Sequence, residues 1–432
     1  MEKWFDFKGR GTNASTEVIA GITTFITMVY IAIVNPAILS KTGMDFNGVF
    51  VATILATMIG TLIMGVFSNY PIAIAPGMGL NSFFAFAVVL ALGITWQKAL
   101  GAVFIASLIF LVLSFTKFRN VLINSIPESL KHSITAGIGL FIAFIGLQGS
   151  KIIVDSPATL VTFGHASDPL VLLTIFNLFV TVVLMMFNVR GNIFIGMVIT
   201  AIIALFNGMI TLPPSLFVWP TGLEHTAMQM DIKGVFDNNL YAIIFTFFLI
   251  TLFDTTGTII GIAEQAGLIK DGKFPRIKSA LLADAVGSTV GAMLGTSPTS
   301  AYIESGAGVA VGGRTGFSSV VVALLFGLLL FCAPLAQMLA SIPAITAPAL
   351  IIVGFLMMSS LRNIDWNDFE ESFPAFLIVF LMPLSYSIAI GIGIGFIIYP
   401  LLKIIRGKAA EVHPLMYLFQ ILFFIQIGFL GH

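Results

Sequence analysis

Charge is what this sequence has least of. Acidic and basic residues together make up 9% of 432 positions, where soluble domains carry about 25%, so a chain solvated on all sides is excluded. Lys+Arg and Asp+Glu number 20 each, and nucleic-acid binding therefore has no electrostatic footprint. Cys332 stands alone, cannot close an internal disulfide, and reads as a small packed hydrophobe in an apolar run. The five histidines, at 132, 165, 225, 413 and 432, show no metal-ligand spacing, so no metal and no cofactor is expected. His132, with Glu128 and Lys131, reads as a charged cap at a membrane interface. A phosphate-binding loop is absent, as is any nucleophile constellation, which argues against ATP drive and against an enzyme.

What is present is apolar: 58% hydrophobic residues and a mean hydropathy of +1.05. These residues fall in blocks near the roughly 20 needed for a helix to cross a ~30 Å hydrocarbon layer. Candidate segments 1 to 7 run 17–38, 49–68, 72–92, 98–116, 128–148, 169–187 and 191–210; segments 8 to 14 run 241–263, 276–295, 297–311, 316–333, 343–361, 373–389 and 390–406. With a cytoplasmic N-terminus, sixteen Lys and Arg fall inside, among them Lys117, Lys270 and Lys273, and only Lys41, Lys98, Lys151 and Lys233 fall outside. That split supports both the orientation and the segment count. No cleavable leader pattern precedes segment 1, which should stay in the membrane. The tail 413–430 is apolar and reads as an interfacial helix or a further crossing.

The chain repeats itself. ATMIGTLIMGVFSNYPIAIAPGMG, 56–79, aligns without gaps on ADAVGSTVGAMLGTSPTSAYIESG, 283–306, so that Ala56, Gly60, Pro71 and Gly79 meet Ala283, Gly287, Pro298 and Gly306. Ser125-Ile126-Pro127 recurs as Ser341-Ile342-Pro343. Seven segments per copy is an odd number, which forces the copies into inverted topology. Pro71, Pro76 and Pro298 prevent continuous helices in segments 3 and 10, so 72–75 and 299–302 read as short extended pieces leading into half-helices near Gly77 and Glu304. Irregular backbone survives at membrane depth only where protein or a wet cavity meets it. If the extended pieces pair, the half-helix N-termini are left facing a ligand.

Three acids lie inside apolar segments: Asp254, Asp284 and Glu304. An ionised side chain there costs on the order of 2.5–3.5 kcal/mol, so each needs a partner, a proton or a cavity. Glu304 begins a half-helix; Asp254 leads a hydroxylated face that includes Thr258 one turn on; Asp284, away from any break, reads as a helix stitch. Asn81, one turn into the other half-helix, can donate and accept. Carboxylates plus an amide suit a flat heterocycle with adjacent donors and acceptors, on which Tyr30, Phe83, Phe84, Phe248, Phe253 or Tyr302 could stack. The candidate binding set is Asp254, Glu304, Asn81, Gly77, Tyr302 and Thr258, with Glu304 or Asp254 as the proton-carrying group.

IAPGMGLNSFFAF, TLFDTTGT and GTSPTSAYIESGAGVAVGGRTG together make the chain resemble the AzgA-like purine permeases of the nucleobase-ascorbate transporter superfamily, over essentially its whole length. The resemblance implies an all-α polytopic fold of fourteen segments as 7+7 inverted repeats. Core segments 1–4 and gate segments 5–7 would fill 1–210, an extracellular loop 211–240, core segments 8–11 and gate segments 12–14 241–406, and a tail 407–432. It implies substrate-binding acids at Asp254 and Glu304 and a polar partner at Asn81. It also implies proton symport, with sodium the alternative coupling ion, of hypoxanthine or guanine, with adenine a further candidate, by a homodimer joined through gate segments; short termini without appended domains point to a bacterial plasma membrane. Uracil and xanthine relatives carry Glu on segment 8, often with His one turn later; Asp254 and Thr258 stand here instead, leaving room for a larger ring. Rival readings are an anion transporter of the same fold and an uncoupled facilitator or channel.

Overall fold

A computed structural model describes residues 2–116, 118–238, 240–269 and 275–429. Lys117, Lys270 and Lys273 of the basic count lie outside the described residues, as does the end of the tail, 430–432 with His432. Among the described residues, ten helices are long and apolar enough to cross a membrane, and they coincide with segments 1, 2, 4, 5, 6, 8, 9, 11, 12 and 14. The other four are shorter: Met78–Ala91 in segment 3, Asn192–Phe206 in segment 7, Ser305–Ala310 in segment 10 and Phe369–Leu384 in segment 13. The chain is a multi-pass helical membrane protein.

Polar caps fix where the helices begin. Asn13, Asp45, Asp168, Asp368 and Ser387 each accept a hydrogen bond from a backbone N–H of the first turn of segments 1, 2, 6, 13 and 14, the usual remedy for orphaned N-terminal donors. Segment 13 accordingly starts at Phe369, ahead of the expected 373, and ends at Leu384 rather than 389, because Ser387 already caps the next helix. Segment 1 is two helices, Ala14–Met28 and Ile31–Leu39. A small hairpin, β2 (Ile153–Ser156) on β3 (Leu160–Phe163), follows segment 5 and has no counterpart in the hydropathy pattern.

Segments 3 and 10 begin as strands, β1 (Ile74–Pro76) and β4 (Thr299–Ala301), paired antiparallel with Ile74 opposite Ala301. The repeat offset carries Ile74 onto Ala301 itself, so the pseudo-two-fold axis passes through this pair. Each strand still has an outer edge, and lipid offers no partner for it. Thr61 of segment 2 resolves one edge: its hydroxyl accepts from Ile74 N at 2.9 Å and donates to Ile74 O at 2.9 Å. Its repeat equivalent, Ser288 of segment 9, brackets Thr299 in the same way at 2.8 and 3.2 Å. Behind the strands Gly60 and Gly287, also equivalent, face each other; a Cβ on Gly60 would stand 2.7 Å from Ile74 Cγ2.

Around this sheet pack segments 1, 2, 4, 8, 9 and 11, while segments 5, 6, 7, 12, 13 and 14 pack chiefly on one another. The tail helix Pro414–Phe429 runs back along segment 14: Phe419 and Phe423 meet Phe396, and Gln420 donates to Ile397 O at 2.9 Å. It is therefore a hairpin partner of segment 14, an arrangement unlike a helix lying flat at the interface. Phe245 of segment 8 touches the same two rings.

Thr61→Val removes the clamp on β1 and leaves two buried backbone groups unpaired, at on the order of 1–3 kcal/mol each. The thermal unfolding midpoint in detergent is expected to drop clearly, with Thr61→Ser near wild type; equal midpoints for Val and Ser would contradict the clamp.

Candidate functional site

The two strands deliver their following residues to one place. Gly77 N donates to Pro298 O at 3.0 Å, Tyr302 N to Ala73 O at 3.0 Å, and the Tyr302 hydroxyl to Pro76 O at 2.6 Å. Segment 3 is thereby fastened to segment 10 immediately before the half-helix Met78–Ser82. The Ala73 amide is taken by Ser305 Oγ at 3.0 Å. In segment 10 the first turn closes on itself, Ser305 N to Tyr302 O and Gly306 N to Ile303 O, so the free amides expected at that half-helix are consumed in tight turns.

A cavity of about 140 Å³ lies beside this junction. On one wall are Tyr30, Met78, Gly79, Asp254, Thr258 and residues 300–304; on the other are Thr135 of segment 5 and Val353, Leu356, Met357, Ser359 and Ser360 of segment 12. It is thus formed between the two packing groups, as ligand sites of inverted-repeat transporters are. Among the described residues, its only charged lining groups are Asp254 and Glu304, and no Lys or Arg lines it. Tyr30 donates to Glu304 Oε1 at 2.5 Å, and Ser300 lines the cavity together with Asp254. The hydroxyl of Thr27, the repeat equivalent of Asp254, donates to Thr24 O at 2.8 Å and lies 3.4 Å from Glu304 O. The site is acceptor-rich with hydroxyls between its acids. A larger cavity, about 330 Å³ between segments 1, 7 and 11, has a wholly apolar lining and nothing to orient a polar ligand.

Of the residues expected from sequence, Asp254, Glu304, Tyr302 and Thr258 share this cavity. Gly77 sits one residue before its wall. Asn81 is fully buried away from it, with Nδ2 donating to Asn35 Oδ1 at 3.0 Å. Tyr30 lines the cavity whereas Phe83, Phe84, Phe248 and Phe253 do not; Phe83 packs edge-on against Phe247. Asp284 is fully buried behind β4, accepting from Thr255 at 2.5 Å and Thr299 at 2.8 Å, as a helix stitch would. Glu128 pairs with Lys131 at 2.8 Å and lies 3.9 Å from His132, outside the cavity. Among the described residues no cluster of His, Cys, Asp and Glu could hold a metal. Ser300, Thr135, Ser359 and Ser360 were not anticipated; the one signal available was the serine pair interrupting the apolar run of segment 12.

With the geometry in place, comparison with known proteins decides the class. The sequence matches the Permease family (Xan_ur_permease) over residues 15–400. The chain belongs to that family. It is a transporter and not an enzyme. It is 52% identical over 428 residues to the guanine/hypoxanthine permease PbuO of Bacillus subtilis, covering 98% of this chain and 99% of that protein. It is 44% identical over 437 residues to the adenine permease AdeP of Escherichia coli, covering 100% and 96%. In fold it resembles the transmembrane domain of a cyanobacterial bicarbonate transporter, BicA, with a TM-score of 0.64 at 13% identity over 87% of this chain and 97% of that one. A solved SLC26A9 structure gives a TM-score of 0.64 at 12% identity, covering 91% of this chain and 65% of that one. These two likenesses establish the core-and-gate architecture.

Ile303, which lines the cavity, is 67% exposed, while Asn81 is 0% exposed. In a Cys332→Ser background, Ile303→Cys is expected to react with a hydrophilic maleimide at least tenfold faster than Asn81→Cys. Comparable rates would place Asn81 in the wet cavity after all.

Proposed function

We propose that this permease imports purine nucleobases, hypoxanthine and guanine foremost and adenine as a further candidate, by proton symport across the cell membrane. The observation that carries the reading is the convergence of Asp254 and Glu304, one from segment 8 and one from the segment 10 half-helix, on a single small cavity without a cation. A purine base offers ring N–H groups to carboxylates and a flat face to Tyr30 or Tyr302. The guanine/hypoxanthine and adenine permeases that the chain resembles over nearly its full length support the substrate class.

Glu304 is the natural coupling group. As a carboxylate it accepts from Tyr30 and from the base, and it carries the proton as gate and core move against each other. One proton moving through ~100 mV supplies about 2.3 kcal/mol, enough for roughly a 50-fold gradient of substrate. Asp254 then serves as the fixed acceptor for the base. A cytoplasmic N-terminus, which the basic residues favour, would put the end of segment 8 on the cytoplasmic side, and the exposed Gly257 and Gly261 there support a cavity mouth on that side. A homodimer through gate segments belongs to the same reading; segment 13 turns exposed, stacked rings outward, Phe369 on Phe373 and Phe376 on Phe380.

The fold shared with a bicarbonate transporter favours one rival, an anion carrier. Two acids and no base in the cavity oppose it, since an anion would meet repulsion from both carboxylates.

In proteoliposomes the wild type is expected to accumulate labelled hypoxanthine under an imposed proton gradient and to lose accumulation with a protonophore. Glu304→Gln should cut gradient-driven accumulation at least tenfold while retaining base exchange. Asp254→Asn should raise KM by about tenfold to a hundredfold, the cost of losing a charged acceptor. Uptake indifferent to the gradient removes proton coupling; bicarbonate uptake without purine uptake favours the rival.

A further inference from the structure

Asn35 lies in the second helix of segment 1, one residue before Pro36, fully buried and outside the cavity. A side-chain amide has two N–H donors and an oxygen with two acceptor positions, and here all four are used. Nδ2 donates to Thr53 Oγ1 of segment 2 at 2.7 Å and to Thr296 Oγ1 at 2.8 Å. Oδ1 accepts from Asn81 Nδ2 at 3.0 Å and from Ser297 Oγ at 3.2 Å. Thr53 passes its own proton to Val49 O at 2.7 Å, so the network ends on helix backbone.

These partners are not scattered. Asn81 stands one turn after Met78 and Gly79, which form the segment 3 side of the cavity; Thr296 and Ser297 run directly into β4 and on to Ser300, Tyr302 and Glu304. A single amide therefore bolts both broken crossings to segments 1 and 2. Strand pairing fixes the crossings to each other. Asn35 fixes the pair to the scaffold.

We propose that Asn35 is a positioning residue of the transport site, setting where the segment 3 and segment 10 parts of the core wall stand, and that Asn81 acts on the ligand through Asn35 rather than by contact. The assignment rests on the purine-transport reading above. Sites of this kind tolerate displacements of only about 0.5 Å, and a shift near 1 Å in a positioning element can cost 100-fold. Removing the amide takes the shared partner of Asn81, Thr296 and Ser297 away at once, so the two parts of the core wall lose register as a unit. Because the two asparagines work in series, losing both should be little worse than losing one.

The test is hypoxanthine uptake by full-length protein in proteoliposomes for wild type, Asn35→Ala, Asn81→Ala and the double variant, normalised to reconstituted protein. Each single change is expected to raise KM at least tenfold with a smaller effect on maximal rate. Guanine, adenine and xanthine should shift in competition in the same order for both single variants, a pattern that general loss of stability does not produce. The double variant should stay within about threefold of the worse single one. Should Asn35→Ala fail to reach the membrane, Asn35→Asp keeps the acceptor for Asn81 and Ser297 and replaces only the donors; its KM is expected between wild type and Asn81→Ala. Multiplying KM effects in the double variant, or a wild-type KM in the Asn35 variants, overturns the assignment and leaves the purine reading standing. A wild type without saturable hypoxanthine uptake overturns both.

Discussion

A proline within a membrane crossing leaves backbone groups that lipid cannot satisfy, and this protein has placed such breaks at corresponding points of two inverted halves. Each break becomes the remedy for the other. β1 and β4 pair with the symmetry axis through Ile74 and Ala301, and Thr61 and Ser288 close the two outer edges. Small residues at Gly60 and Gly287 let segments 2 and 9 come close enough for those hydroxyls to reach. The site is a consequence: only where the helices stop can side chains and backbone turn polar atoms toward a shared space in the interior.

The two halves have diverged around that axis. The repeat equivalent of Asp254 is Thr27, and the equivalent of Glu304 is Gly77. Both acids thus come from the second half, while the first half contributes Tyr30, which holds Glu304, and the glycine-flanked wall at Met78 and Gly79. Symmetry builds the frame and asymmetry supplies the chemistry. The gate group adds short hydroxyls, Thr135, Ser359 and Ser360, so moving gate against core changes one wall of the cavity and leaves the acids where the strands put them.

Much of this was legible in the chain, for reasons that can be named. Prolines at 71, 76 and 298, the repeat offset and the rarity of acids in apolar runs located the strands and placed Asp254 and Glu304 in one cavity, because each violates the rule for a lipid-facing helix. Asn81 shows what was not legible. A buried amide in a half-helix suits a ligand or a partner equally, and its partner, Asn35, lies 46 positions away with no periodic signal. The gate serines gave only an ambiguous signal for a related reason: a serine pair ends many apolar helices, and nothing local says which end faces a cavity. Helix edges moved by a few residues wherever a cap such as Asp368 or Ser387 competed with hydropathy. The tail left its direction open because an apolar face packs equally well on lipid or on Phe396.

The central claim is that the paired crossings present Glu304 and Asp254 jointly to one purine base. An electron cryo-microscopy structure of the purified protein with hypoxanthine addresses it most directly. The account predicts planar density in the cavity between Met78–Gly79 and segment 12, within hydrogen-bond distance of both carboxylates, with Ile74 and Ala301 still opposite each other. Density in the apolar cavity between segments 1, 7 and 11, or bound base touching neither acid, would contradict it.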